Sequence, residues 1–276
     1  MAVGVESTAD GGQAAAGPAY LIMDTESVPD GRLLVQTKYP GENLTPEQAI
    51  ERAQAEARER SRDGSDFLPV SFQYPVAVCI ARIGSDYRLQ SMTALDSPQF
   101  RPKEIVAQFW RGMSHYGRAK LVTYNGRGFD LPLLELAAFR YGISAKDYFK
   151  GARRDRYNGH IDLMDWLSNF GACRFPGGLN LLSKLLGKPG KMDVTGDQVY
   201  AMYQAGKKQE INDYCVCDVL DTYFVFLRSR VICGEMSLEK EQELIARGKE
   251  WIAARGSEQP ALQQYLAGWG DWQPWP

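Results

Sequence analysis

Asp24 and Glu26 close a short apolar run, AYLIMDTE, over residues 19–26. A strand repeats every two residues, so this run predicts a buried strand with both carboxylates on one face near its C-terminal end. Tyr214 and Asp218 lie four apart in DYCVCDVLDTYFVFLR, and that interval on a helix puts a phenol and an acid side by side. A third group is Asn125-Gly126-Arg127-Gly128-Phe129-Asp130. Its glycines allow close backbone approach, and its acid stands at a helix start before Leu131-Pro132. Each group also has a purely structural reading. Exposed edge acids account for Asp24 and Glu26, a bond to Tyr214 or to an arginine for Asp218, and an N-cap for Asp130. Asp213 and Asp221, on the same helix as Asp218, are expected to face solvent or cap neighbours.

Four acids converging on one site, Asp24, Glu26, Asp130 and Asp218, repel one another unless a cation lies among them. Oxygen-only donors favour hard divalent ions, so Mg²⁺ or Mn²⁺, with water and phosphate oxygens completing the shell, is the expected occupant. Two such ions roughly 3.5–4 Å apart are suited to hydrolysing phosphodiesters.

The elements that must position these groups follow from the pattern. Thr45, Pro46 and Gln48 supply an N-cap, first-turn proline and capping box for a polar helix over 45–62. PVAVCIARI and DYRLQSMTAL flank Gly84-Ser85-Asp86 as a hairpin between 74 and 95. An amphipathic helix over 102–117, a strand KLVTY at 120–124 and a helix over 132–141 come next. After a basic, irregular stretch at 140–160, helices are predicted at 161–170, 179–186, 196–205, 208–233 and 237–254. Strands first and helices later indicate an α/β domain with a helix-rich C-terminal half.

The chain has 276 residues, 44% hydrophobic and 24% charged, enough for one large domain with a sizeable core. Thirty-two basic against thirty-four acidic residues leave a formal charge of −2, so any affinity for phosphate must be local. Arg140 with Arg153, Arg154 and Arg156, and Lys188 with Lys191, are the basic clusters where a nucleic-acid strand could run. Five scattered cysteines and two histidines offer no zinc spacing and read as reduced thiols in a cytoplasmic protein. No apolar run is long enough for a membrane span. Residues 1–18 read as a disordered tail, 19–256 as the folded domain with an insertion at about 30–72, and 257–276 as a Trp-rich tail. The tail's indoles either pack on their own domain or anchor a protein partner or a second copy.

Asp24-Thr25-Glu26, Asn125-x-x-x-Phe129-Asp130 and Tyr214-x-x-x-Asp218 together resemble, in order and internal spacing, the DEDDy 3′-to-5′ exonucleases. The likeness is nearest to stand-alone predicted exonucleases related to the proofreading domain of family-B DNA polymerases. It covers roughly residues 19–236, including HIDLMDWLSNFGA and GLNLLSKLLGKPGKMDVTGDQVY. The resemblance implies a ribonuclease H-like fold, a mixed sheet flanked by helices. It implies that Asp24, Glu26 and Asp218 hold the metal that activates water, and that Asp24 and Asp130 serve a second ion. Tyr214 would orient that water, while Thr25, Asn125 and Phe129 would contact the terminal nucleotide. The implied reaction is removal of 5′-mononucleotides from a single-stranded 3′ end, DNA or RNA, with DNA favoured. The alternative is a catalytically weak nucleic-acid-binding or protein-docking module on the same fold, which loss of any of the four acids would favour.

Overall fold

Nearly continuous burial along Tyr20–Pro29 makes this run a central strand, β1: Ile22 and Val28 feed one core, Leu21 and Met23 the other. The computed structural model describes residues 17–62, 64–151, 153, 155, 159–190, 198–257 and 259–274, so the disordered tail expected over 1–18 falls almost wholly outside the described residues. Beyond β1 come helices α1 (Gly31–Thr37) and α2 (Pro46–Arg60) and a short 3₁₀ turn at Val70–Phe72. Strands β2 (Gln73–Ile83) and β3 (Leu89–Ala94) form the hairpin, α3 (Pro102–His115) follows, and β4 (Lys120–Thr123) returns to the sheet. Helices α4 (Asp130–Tyr141) and α5 (Lys146–Lys150) lead to β5 (His160–Asp162). The chain continues through α6 (Leu163–Leu167), α7 (Gly178–Leu185), α8 (Val199–Gln204), α9 (Lys208–Ile232), α10 (Leu238–Ala253) and α11 (Pro260–Ala267).

The five strands form one mixed sheet in the order β3-β2-β1-β4-β5. Only β2 runs against the others: β1 pairs with it antiparallel, β2 with β3 antiparallel, and β1–β4 and β4–β5 are parallel. Helices cover both faces. On one side α3 and α4 bring Phe109, Trp110, Leu131 and Leu134 onto Leu21, Met23 and Val78. On the other, α9 lays Cys215, Val219, Leu220 and Phe226 against Ile22, Ala77 and Cys79. The expected mixed sheet flanked by helices, with helices dominating the C-terminal half, is what the chain forms. Among the described residues, no helix is long and apolar enough to cross a membrane.

Residues 30–72, expected as an insertion, hold a small core of their own, in which Leu34, Tyr39, Ile50 and Leu68 pack together. The capping box predicted at Thr45 is present, with Gln48 N–H donating to Thr45 Oγ1 at 3.2 Å and Thr45 N–H to Gln48 Oε1 at 2.9 Å. A methyl group at Gly31 would collide with the backbone of Pro46, so this glycine lets α1 rest on the start of α2.

One expected element needs correction. The helix predicted over 161–170 begins as β5, because His160–Asp162 pairs in parallel with Leu121–Thr123 and only Leu163–Leu167 coils. Alternating apolar residues three long carry too weak a period to distinguish the two. Residues 257–276, expected as a tail, contain α11, whose Ala261, Leu262 and Tyr265 are buried in the main core. Trp269 and Trp272 also pack against that core, and Gly270 N–H donates to Gly187 C=O at 2.7 Å; Trp275 lies outside the described residues.

Candidate active site

Asp24 and Glu26 sit on β1 with one residue between them, so alternation aims both at α9. There they meet Asp218. One carboxylate oxygen from each of Asp24, Glu26 and Asp218 lies within 4.8 Å of the other two. Asp24 lines a cleft of about 440 Å³ with Glu26, Tyr124, Asn125, Tyr214 and Asp218. Burial, then the charges of Asp130, Asp218 and Glu26 in that order, push the Asp24 carboxyl well above its ordinary range. Without a cation the cluster is electrostatically strained, and an oxygen-only donor set of this spacing suits a hard divalent ion.

Asp130 belongs to the same neighbourhood from the other side of β1. It is the first residue of α4, is buried, and accepts a 2.6 Å hydrogen bond from Thr25 Oγ1. Burial raises its pKa to about 6, against the opposing pull of the Thr25 hydroxyl. The N-cap position falls to Phe129, so Asp130 is not the helix cap. Thr25 lines the cleft with its hydroxyl committed to Asp130.

Tyr214 is buried one helical turn before Asp218 and hydrogen-bonds to it. Desolvation, followed by the charges of Asp218, Glu26 and Asp24, drives the phenol's pKa far upwards. Tyr214 is therefore a fixed donor at any physiological pH.

The loop after β4 supplies Asn125 and Phe129. Asn125 adopts a left-handed conformation (φ 65°), and its carbonyl accepts from the N–H groups of Gly128 and Phe129, each at 3.0 Å. A side chain at Gly126 would occupy the space of Thr123, so the close approach foreseen for this glycine is to the chain's own strand. Phe129 packs against Phe67, which precedes β2, with ring centres 5.4 Å apart and tilted by 53°, and Phe67 stays half exposed.

Several contributors were not anticipated. Asp162, buried at the end of β5, accepts from the backbone N–H groups of Asn125 and Arg127 at 2.9 Å and from Met164 at 3.1 Å. One carboxylate thus pins the 125–130 loop and caps α6. Its signal lay in HIDLMDW, where Asp precedes an apolar helical turn. Asp221, expected to face solvent or cap a neighbour, is 1% exposed and accepts from Tyr265 Oη at 2.7 Å; burial lifts its pKa to about 7. It reaches the cleft because α9 is covered on nearly every side, by β1, β2, α7, α10 and α11. Gly177 and Gly178, both in left-handed conformations, start α7 at the cleft wall.

The basic clusters do not form a phosphate track among the described residues. Arg140 is paired with Asp30, and Arg153 forks onto Glu135 at 2.9 and 3.1 Å. Lys188 is 2% exposed, its ammonium 4.0 Å from the Trp269 ring centre and within 3.3 Å of Gly270 C=O. Acids and indoles that are distant in sequence claim these cations. Arg154, Arg156 and Lys191 lie outside the described residues.

Residues 65–269 match the family model of predicted 3′-5′ exonucleases related to the exonuclease domain of PolB. An alignment over 139 positions, covering 47% of the chain, is 26% identical to the catalytic subunit of DNA polymerase epsilon from Schizosaccharomyces pombe, and spans only 6% of that polypeptide. Among solved structures, the family B DNA polymerase of Pyrobaculum calidifontis aligns over 80% of this chain and 25% of its own, at 15% identity and a TM-score of 0.45. Exonuclease I of E. coli, solved with a dT13 oligonucleotide, aligns over 77% of this chain and 41% of its own, at 14% identity and a TM-score of 0.36. Because the family model alone spans well over half of the sequence, the chain belongs to the predicted 3′-5′ exonucleases related to the exonuclease domain of PolB.

Proposed function

We propose that this protein is a metal-dependent 3′-to-5′ exonuclease that releases 5′-mononucleotides from single-stranded ends, with DNA as its substrate. The observation that carries the reading is the meeting of Asp24, Glu26 and Asp218 within 4.8 Å on a cleft that Tyr214 and Asn125 also line. Asp24, Glu26 and Asp218 would hold one divalent ion, Mg²⁺ or Mn²⁺, and Asp24 with Asp130 the second. Such ions supply charge neutralisation at the phosphate and a water acidic enough to attack it near neutral pH.

The chain's own groups do the rest. Thr25 orients Asp130 through its 2.6 Å bond, which keeps that acid beside the substrate. Tyr214 is a poor base because its phenol is held protonated, so it would serve by turning its one O–H, bonded to Asp218 in this structure, onto the attacking water to align it. Asn125 can bond the sugar or phosphate of the last nucleotide, and Phe129, braced by Phe67, can stack on its base. Glu26 is buried, which limits bulk water at the reacting phosphorus and strengthens every charge interaction there. Five cysteines with no disulfide support the cytoplasmic setting. A catalytically weak docking module is the poorer reading, since such a chain has no need to keep three acids and a phenol together at an energetic cost.

The test offers single-stranded DNA and RNA of one sequence, each labelled at the 5′ end, with Mg²⁺ or Mn²⁺. A ladder shortening from the 3′ end of DNA is expected. A single internal cut, or products from neither polymer, would contradict the proposal.

A further inference from the structure

A second cleft, of about 490 Å³, opens beyond the C-terminal end of β1, and its walls are rich in tyrosine. Tyr74, Tyr141, Tyr200 and Tyr203 line it with Arg32 and Arg140. Each of the four rings is partly exposed, and Tyr203 meets Tyr74 edge-on, 6.2 Å between centres. Their other faces are packed: Tyr74 and Tyr203 lean on the core behind β1, Tyr141 on the core under α4, and Tyr200 on the insertion's core as well. The rings are therefore pre-set, with little rotamer freedom left to lose on binding. Two elements run from the candidate active site to this cleft. β1 carries Glu26 and, three residues on, Pro29 at the cleft wall, a step of about 10 Å. α4 begins at Asp130 and ends at Arg140 and Tyr141, about 16 Å along its axis.

Building on the nuclease reading, we propose that this cleft is a second base-binding subsite, holding a nucleotide of the substrate strand a few positions in from its 3′ end. Aromatic faces accept any base, which suits an enzyme that digests without regard to sequence. The charges lining the cleft decide which part of the nucleotide is gripped. Asp30 is paired with Arg140, and Glu47 on the first turn of α2 is offset by Arg32, so the charges lining the cleft sum to zero and its tyrosine walls favour the base. Exposed Arg32 stands at the rim, where a backbone phosphate would pass. The tyrosine hydroxyls stay protonated where burial raises them, at Tyr74, Tyr141 and Tyr200, and can donate to base or phosphate oxygens. The insertion supplies Arg32, Pro46, Glu47 and Ile50 to these walls, and so extends the binding track away from the metal centre.

The experiment compares KM and kcat for a deoxydinucleotide and a single-stranded DNA dodecamer, in the full chain with Mg²⁺. The dodecamer is expected to show a KM lower on the order of tenfold. Arg32→Glu and Tyr200→Leu should erase that advantage while leaving the dinucleotide's kcat and KM unchanged. Thermal melting checks both variants; should Tyr200→Leu lower the melting temperature, Arg32→Glu at its exposed position carries the test alone. Equal KM for the two lengths in the wild type, or variants that impair both substrates alike, would overturn the subsite. So would saturable binding of free dAMP that Arg32→Glu abolishes without altering the dodecamer's KM, which would assign the cleft to a free nucleotide. If neither substrate is digested, the nuclease reading has failed, and anisotropy of a labelled dodecamer with Ca²⁺ then decides the cleft alone: weaker binding by Arg32→Glu supports it, unchanged binding removes it.

Discussion

Asp24 shares its space with Glu26 and Asp218 and is raised well above an ordinary carboxyl. Replacing it with Asn removes a charge from the cluster without changing its shape. Asp24→Asn is expected to abolish digestion while raising the melting temperature in chelator, by relief of repulsion; an active variant, or one less stable in chelator, would show that the three acids are not a metal site. Tyr214→Phe should be milder, a loss of roughly 10²-fold in kcat, since one orienting hydrogen bond goes and the acids stay. The same residues give a pH prediction. Burial holds Asp130 at about 6, above the carboxyl's unfolded value. Such a group favours folding below the unfolded pKa and loses that contribution as pH rises through the folded one. In chelator, then, the wild type should lose stability relative to Asp130→Asn between about pH 4 and 7, by roughly 2–3 kcal/mol, as measured by urea unfolding of both proteins across that range. A gap that does not change with pH would remove the burial account of Asp130.

At the scale of elements, the three motif-bearing segments were legible because each joins a regular period to a polar exception. β1 and α9 stand where the pattern places them, with Asp24, Glu26 and Asp218 on the faces that alternation and helical spacing require, and Asp130 opens α4 at the helix start read before Leu131-Pro132. What escaped notice depends on neighbours distant in the chain. β5 is three residues long and is a strand only because β4 pairs with it. Asp221 is buried by α11 and α7, elements whose docking no local pattern announces. Phe67 joins Phe129 across 62 residues of sequence. Asp162 shows how much one such residue can hold: it binds the loop bearing Asn125 and caps α6. Asp162→Ala would leave partly buried N–H groups of Asn125 and Arg127 without this acceptor. A loss of about 2–3 kcal/mol in chemical denaturation is expected, together with a raised KM as the loop loosens. A KM unchanged from wild type would mean that the loop holds its shape without this carboxylate.

For the molecule as a whole, the C-terminal segment closes the fold. Trp269 stands edge-on to Phe224, ring centres 5.1 Å apart, covers the Lys188 ammonium and is tied to the body through Gly270 and Gly187; Arg228 lies over Trp272 at 4.5 Å. Burial lowers Lys188 to about 8, a charge the aromatic rings help to hold. Truncation after Ala267 should therefore destabilise the chain by about 3 kcal/mol in urea unfolding, a value typical of losing buried aromatic surface. Unchanged stability would return these indoles to the role of anchors for a partner. All of this framework serves one arrangement, in which sheet and helix bring acids 194 residues apart, Asp24 and Asp218, into a single cluster. The most direct test is digestion of a 5′-labelled single-stranded DNA by wild type and Asp24→Asn, each in chelator, Ca²⁺ and Mg²⁺. The account predicts stepwise shortening from the 3′ end by the wild type in Mg²⁺ and none in chelator. In Ca²⁺, whose longer and looser coordination spoils the alignment, it predicts little cleavage. The variant should be inert throughout. Shortening in chelator, or an equal ladder from Asp24→Asn in Mg²⁺, would contradict it.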